Sequence, residues 1–454
     1  MKFAIDLDNT LLDYEAVYEK SLKDLDILDL FINVPRPLNK NSIKDTIKSC
    51  PSLGNSVWIK FQGKCYGKYI NEASFFENAI NTLRELKSNG NVVEIVSHKS
   101  KISLCGNYNL VEPMKRILED KLPEIIFSFH ENLQEKIEYI ENGQFDIILD
   151  DLDEVLDKIS SNTLKIKYGH SKHYLSFSDW KKVSSFGRLI KKYHLKKLSP
   201  LQRTSFKNDS QNLIIKYFAD TDRLYRESKH LEVINRDYST FENFLIVNRI
   251  PGEAVKNISF RFKTDFDNFI QSLRKSEVTL QTTHNTKSSH EYCEKILKRS
   301  KSIESKPLKE AVSNYLNNWK KSKDNMTLGH DYCLPDLCSK NMLLKEEHYL
   351  FFDFESAGYG SPERAFLNFI NHPSHTLSTD EEEIVLDSYI STYRSEFSVE
   401  KALHIQELNQ LEWCIIIYNY NNKEGICSLN DFFDKSLKPK TDLNELLRTK
   451  IKKN

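Results

Sequence analysis

"FAIDLDNTLLD", residues 3–13, places two carboxylates, Asp6 and Asp8, at the end of a short apolar run. The run reads as a strand. Side chains two apart on a strand share a face. Two carboxylates held together are costly unless a cation neutralises them. The stretch therefore predicts a strand that delivers oxygen ligands to a site at its carboxyl end.

Working outward, "FFENAINTLRELKSNG" (75–90) has apolar residues at helical spacing and a glycine stop. "NVVEIVS" (91–97) is a β-branched run and reads as a buried strand. "EKIEYIEN" (135–142) is helical in pattern, and "FDIILDD" (145–151) is another strand ending in acids. Strand–helix–strand alternation implies a parallel sheet with helices on both faces. Ligands of such sheets sit at the carboxyl ends of the strands, where Asp6, Ser97 and Asp150 all fall. Residues 14–75 interrupt the alternation with helix-like stretches, which predicts a helical cap over that edge.

Asp6, Asp8 and Asp150 make an oxygen-rich set suited to Mg2+. A cation there would neutralise a phosphate and let Asp6 attack phosphorus as nucleophile. Asp8 could protonate the leaving oxygen and then activate water. Ser97 could donate a hydrogen bond to the phosphoryl group, and a lysine could balance its charge. These residues resemble the haloacid-dehalogenase-like phosphohydrolases. Asp6, Asp8 and Thr10 match that family's first motif, Ser97 the second, and the pair Asp150–Asp151 the fourth. Lys136 is the choice for the third, with Lys99 as its rival. The resemblance covers residues 1–160. It implies a doubly wound parallel sheet with a cap and a Mg2+-dependent phosphatase, in which Asp8 gives the metal mainly its backbone carbonyl.

The character changes after residue 165, where "YGHSKHYLSFSDWKKVSSFGRLIKKYHLKKLSP" (168–200) is basic and aromatic. A boundary near 185 divides the chain into domains 1–185 and 186–454. A short β-rich part follows, then a longer helical one. Within the latter, "CLPDLCSKNMLL" (333–344) and "YLFFDFESAGYG" (349–360) set Asp336, Asn341 and Asp353 close together. Phosphoryl transfer from ATP needs an acid near the acceptor hydroxyl, an amide and an acid on Mg2+, and a cation on the nucleotide phosphates. Asp336, Asn341 and Asp353 supply the first three, on a loop followed by a hairpin. Lys216, ending the strand "LIIKYF", supplies the cation, and Glu227 in a following helix would orient it.

These residues look like the aminoglycoside phosphotransferase and choline kinase family, whose fold is the bilobal α+β one of protein kinases. By that match Asp336 is the catalytic acid, Asn341 and Asp353 bind Mg2+, and Lys216 pairs with Glu227. The family's loop commonly begins His-Gly-Asp, whereas this chain has Leu334-Pro335-Asp336. The stretch expected to cover the phosphates, "LSPLQRTSFKN" (198–208), has no glycine, which leaves Arg203, Thr204 or Ser205 to hold them. His330–Asp331 is a competing register without an asparagine five residues on, and reads as structural.

With 454 residues, two domains are expected. Lys plus Arg equals Asp plus Glu at 65 each, which argues against a broad nucleic-acid surface. No run approaches the ~18 apolar residues of a membrane span. The start lacks the apolar region of a secretory signal, and eight scattered cysteines fit a reducing compartment, so a cytoplasmic location is expected. The expected function is bifunctional. One domain would remove phosphate from a small phosphate ester, and the other would use ATP and Mg2+ to phosphorylate a small hydroxyl acceptor. Family habits imply a setting in bacterial surface polysaccharide precursors. The alternative is a phosphatase whose kinase-like half only binds a ligand or partner.

Overall fold

Strand Lys2–Ile5 (β1) lies inside a six-stranded sheet, flanked by Val92–His98 (β2) and Ile147–Asp150 (β4). Ile126–His130 (β3) extends the sheet beyond β2, and Leu164–Tyr168 (β5) and Leu175–Phe177 (β6) extend it beyond β4. Every pairing is parallel. The five inner residues of β2 are all buried, as expected for a strand covered on both faces. The helices that cover it are amphipathic. In Ala79–Ser88 (α4), Ala79, Thr82, Leu83 and Leu86 form the buried stripe.

The computed structural model describes residues 1–454 except 35, 37, 51–52, 161, 172, 203–204, 209, 276–285, 421–442 and 454. The chain divides into two compact units. The first is Met1–Phe218 with Ser239–Arg249, and the second is Ala219–Tyr238 with Ile250–Asn454.

Besides the parallel sheet, the first unit holds a helical insert, Glu15–Asp24 (α1), Lys40–Ser49 (α2) and Gly54–Gly63 (α3), between β1 and α4. It also holds a five-stranded antiparallel sheet. That sheet's order is Tyr238–Phe241 (β10), Phe244–Asn248 (β11), Leu213–Tyr217 (β9), Ser205–Asn208 (β8) and Leu198–Gln202 (β7). Residue 185, the boundary expected from sequence, lies inside helix Trp180–Lys192 (α8). The Trp180 indole of this helix donates to the Thr10 carbonyl at 3.0 Å. Phe186 packs edge-on against Phe206 of β8 at 5.6 Å and lies 6.1 Å from Phe244 of β11. One helix thus serves both sheets, and one hydrophobic core cluster spans them, from Phe3 to Ile246, beside a second around Val96 and Ile148.

The second unit is mainly helical. Thr221–Val233 (α9), Arg261–Arg274 (α10), Pro362–Asn371 (α13), Thr379–Tyr393 (α14) and Val399–Tyr420 (α15) are its chief helices here. Asp331–Cys333 (β13) pairs with Gly358–Gly360 (β16). Met342–Lys345 (β14) and His348–Phe351 (β15) form the expected hairpin, whose turn residues Glu346 and Glu347 both have positive φ, 52° and 70°. That is the twist sense a two-residue hairpin turn requires. Among the described residues no helix is long and apolar enough to cross a membrane.

Candidate active sites

The first site sits at the carboxyl ends of β1, β2 and β4. Asp6 directly follows β1, Ser97 lies in β2, and Asp150 ends β4. The register that aligns them is set by backbone pairing, including Asp6 N to Leu149 O at 2.9 Å. Helix Leu133–Asn142 (α6) is started by Asn132, whose side chain accepts from Glu135 N. Its buried face carries Lys136 together with Ile137 and Ile140. The Lys136 ammonium donates to Asp6 Oδ1 and to Asp150 Oδ2, each at 2.6 Å.

Oxygens of Asp6, Asp150 and Asp151 lie within 4.8 Å of one another. Burial is the main force on Asp6 and raises its pKa to about 7. Lys136 opposes the rise, and the Asp150 and Asp8 charges add to it. Burial, then Asp150 and Asp6, push Asp151 up as well. On Lys136, burial works against the charge, but its two carboxylate partners hold it above the ordinary lysine value. Three converging carboxyl groups face one ammonium, and when all are ionised they leave surplus negative charge in the site. That donor set suits a hard divalent cation such as Mg2+. The Ser97 hydroxyl is buried and has no hydrogen-bond partner among the described residues. A buried unmet hydroxyl costs about 1–3 kcal/mol, so a ligand oxygen at this edge would relieve it.

Asp8 is placed differently from its strand-alternation expectation. The strand ends at Ile5, and the chain turns through Asn9 at φ 59° with Leu11 N bonded to Leu7 O. The Asp8 side chain therefore stands apart from the three-carboxylate cluster. It accepts from Tyr14 at 2.5 Å and from Lys99 at 3.0 and 3.1 Å. Burial raises its pKa, but Lys99 and Tyr14 more than offset this and hold the carboxyl below its usual range. The two rival lysines therefore occupy different posts, Lys136 at Asp6 and Lys99 at Asp8. Asp151 is the cluster member that the candidate metal set of Asp6, Asp8 and Asp150 omits. Its place beside Asp150 in "ILDD" was the available signal.

In the second unit, the Asn341 side-chain amide donates to the Asp336 carbonyl at 2.9 Å. Phe352 N bonds Asn341 O at 3.1 Å, tying the end of the hairpin to the loop. Asp353 follows in left-handed backbone at φ 69°, a conformation that costs a non-glycine residue about 1–3 kcal/mol and concentrates at functional sites. Phe354 stacks on Phe269 at 5.5 Å and on His230 at 5.8 Å. Arg223 and Arg226 of α9 reach Glu355 and the Ala357 carbonyl, each at 3.2 Å. From behind, Asn368 donates to Pro335 O at 2.9 Å. Asp331 is held by Arg274, which fits its structural reading. Glu227 is buried on α9.

Lys216 of β9 and Ser205 of β8 are directly opposed across an antiparallel pair in the first unit. Such residues are cross-strand neighbours. Arg203 and Thr204 lie outside the described residues.

No family model and no curated protein matches the sequence. Among solved structures, the chain is similar to the amicoumacin kinase hAmiN in complex with AMP-PNP, Ca2+ and Ami. Identity is 12%, 59% of this chain and 99% of that one are covered, and the TM-score is 0.40. It is similar to the choline kinase LicA from Streptococcus pneumoniae at 15% identity, with 55% and 94% covered and a TM-score of 0.37. It is also similar to a Had-superfamily hydrolase from Ehrlichia chaffeensis at 16% identity, with 42% and 96% covered and a TM-score of 0.27.

Proposed function

We propose that the chain is a bifunctional enzyme: a phosphatase of a small phosphate ester and an ATP-dependent kinase of a small hydroxyl acceptor. The observation that carries the phosphatase half is Lys136, buried between Asp6 and Asp150 with Asp151 beside them. A site that must accept a dianionic phosphate and a cation needs such charges on both sides. Asp6, Asp150 and Asp151 would hold Mg2+, which when bound offsets the phosphate's charge.

An Asp6 oxygen would attack phosphorus as the ester oxygen leaves, with Ser97 donating to a phosphoryl oxygen. Asp8, held ionised by Lys99 and Tyr14, is in the form that takes a proton from water in the second step. Its role as acid in the first step requires the Lys99 pair to loosen as the ester enters. In the kinase half, Asp336 would take the proton of the acceptor hydroxyl as that oxygen receives the γ-phosphoryl group and ADP leaves. Asn341 and Asp353 would hold Mg2+, and Lys216 and Ser205 are the sequence's candidates for the nucleotide phosphates. Surface polysaccharide precursors remain the metabolic setting this reading favours.

A phosphate-release screen over sugar, polyol and amino-alcohol phosphates with Mg2+ tests the first half. Release should occur for some ester and fall about a thousandfold or more in Asp6→Asn. No release from any ester would refute it. The glycine-free stretch 198–208 favours a second reading, in which the kinase-like half only binds. Calorimetric titration with ATP and Mg2+, run beside turnover in Asp336→Asn, decides between them. Saturable ATP binding weakened by Lys216→Met, with phosphorylation lost in Asp336→Asn, supports the kinase. No ATP binding, with no effect of Asp336→Asn on any turnover, supports the second reading, in which that half binds another ligand or partner.

A further inference from the structure

In the first unit a cavity of about 170 Å3 lies between the helical insert and the sheet edge, with Asp8, Lys40, Gln62, Tyr66, His98 and Lys99 in its wall. It is smaller than the roughly 300 Å3 at which drug-sized pockets begin. The insert is seated with little clearance. A Cβ on Gly63 would come 2.6 Å from the Cys105 carbonyl oxygen, and one on Gly67 would come 2.5 Å from Tyr108. The cavity thus has room for a small leaving group beside Asp8.

Its charge is uneven. Lys99 is paired with Asp8. Lys40, the first residue of α2, makes no hydrogen bond or ion pair among the described residues. Its ammonium lies 5.4 Å from the centre of the Tyr66 ring, and that of Lys99 lies 5.2 Å from the same ring. Two ammonium groups near one ring thus share the cavity wall with one carboxylate, Asp8, which is bonded to Lys99, while Lys40 feels Asp8 and Asp151 only through space. Burial, and then Lys136, keep His98 below its ordinary value, so it adds no charge at neutral pH. An ammonium in a cavity wall with no hydrogen-bonded counter-ion is a receptor for an anion.

We infer that this cavity receives a leaving group that itself carries an anion, a carboxylate or a second phosphate, set against Lys40 with Lys99 beside it. The inference rests on the phosphatase reading and narrows its substrates to phosphate esters bearing a second negative group.

Matched esters test it on the full chain with Mg2+: 2-phosphoglycerate against glycerol 2-phosphate, and fructose 1,6-bisphosphate against fructose 6-phosphate. The anion-bearing member should show a kcat/KM at least about tenfold higher, the scale of a charge-assisted hydrogen bond. The pair with the larger ratio tells carboxylate from phosphate. Lys40→Met should bring the ratio toward one and Lys40→Arg should restore it. Should Lys40→Met fail to fold, Lys40→Gln and the wild-type ratio still decide. Hydrolysis of both members at equal kcat/KM would overturn the inference and leave the phosphatase reading standing. No phosphate from any ester, p-nitrophenyl phosphate included, would overturn both.

Discussion

At the residue scale, the first site turns on Lys136 and Asp6. Removing one partner of a buried ion cluster leaves charge unmatched and costs about 3–5 kcal/mol. Lys136→Met should therefore lower stability by about that much at neutral pH without Mg2+, as read by urea unfolding. A loss under about 1 kcal/mol would mean the cluster is solvated. Asp6 makes a pH prediction. Its folded value is about 7 against 3.8 for the unfolded chain, so between those values the folded state binds the extra proton. Its contribution is present below about pH 4 and is lost as pH rises through 7. In chelator, the unfolding midpoint of the wild type should fall between pH 5 and 7.5 by more than that of Asp6→Asn, and Mg2+ should restore it at pH 7.5. Identical slopes in the two proteins would contradict the assignment.

At the element scale, helix α8 joins two sheets by aromatic contacts. Phe186→Ala should cost about 3–5 kcal/mol, the usual range for a buried phenylalanine, as measured by denaturation of the full chain. A small change would show that the antiparallel sheet is not held there. Much of the strand-end site was legible in the sequence because each part is local: an apolar run followed at once by Asp6, Ser97 or Asp150. The hairpin after Asn341 was legible for the same reason. The place of α8 was not, since Phe186 meets Phe206 and Phe244 across long stretches of chain and none of the three has a signal of its own. Nor was the Lys99–Asp8 pair, which spans 91 positions, nor the turn at Asn9 that takes Asp8 off the strand. The left-handed backbone at Asp353 is set by the hairpin and loop around it, and aspartate alone does not announce it.

At the scale of the whole molecule, the proposed function calls for two phosphate sites made from different residues. In that proposal Asp6, Asp8, Ser97, Lys136, Asp150 and Asp151 would build one, and Asp336, Asn341 and Asp353 would build the other. The balance of 65 basic and 65 acidic residues fits small charged substrates met in pockets better than a polyanion met on a surface. The most direct test measures phosphate-ester hydrolysis and ATP-dependent phosphorylation side by side in Asp6→Asn and Asp336→Asn, using the best substrates from the screens. The account predicts that Asp6→Asn abolishes hydrolysis alone and that Asp336→Asn abolishes phosphorylation alone. Loss of both reactions in either single variant, with folding intact, would contradict it.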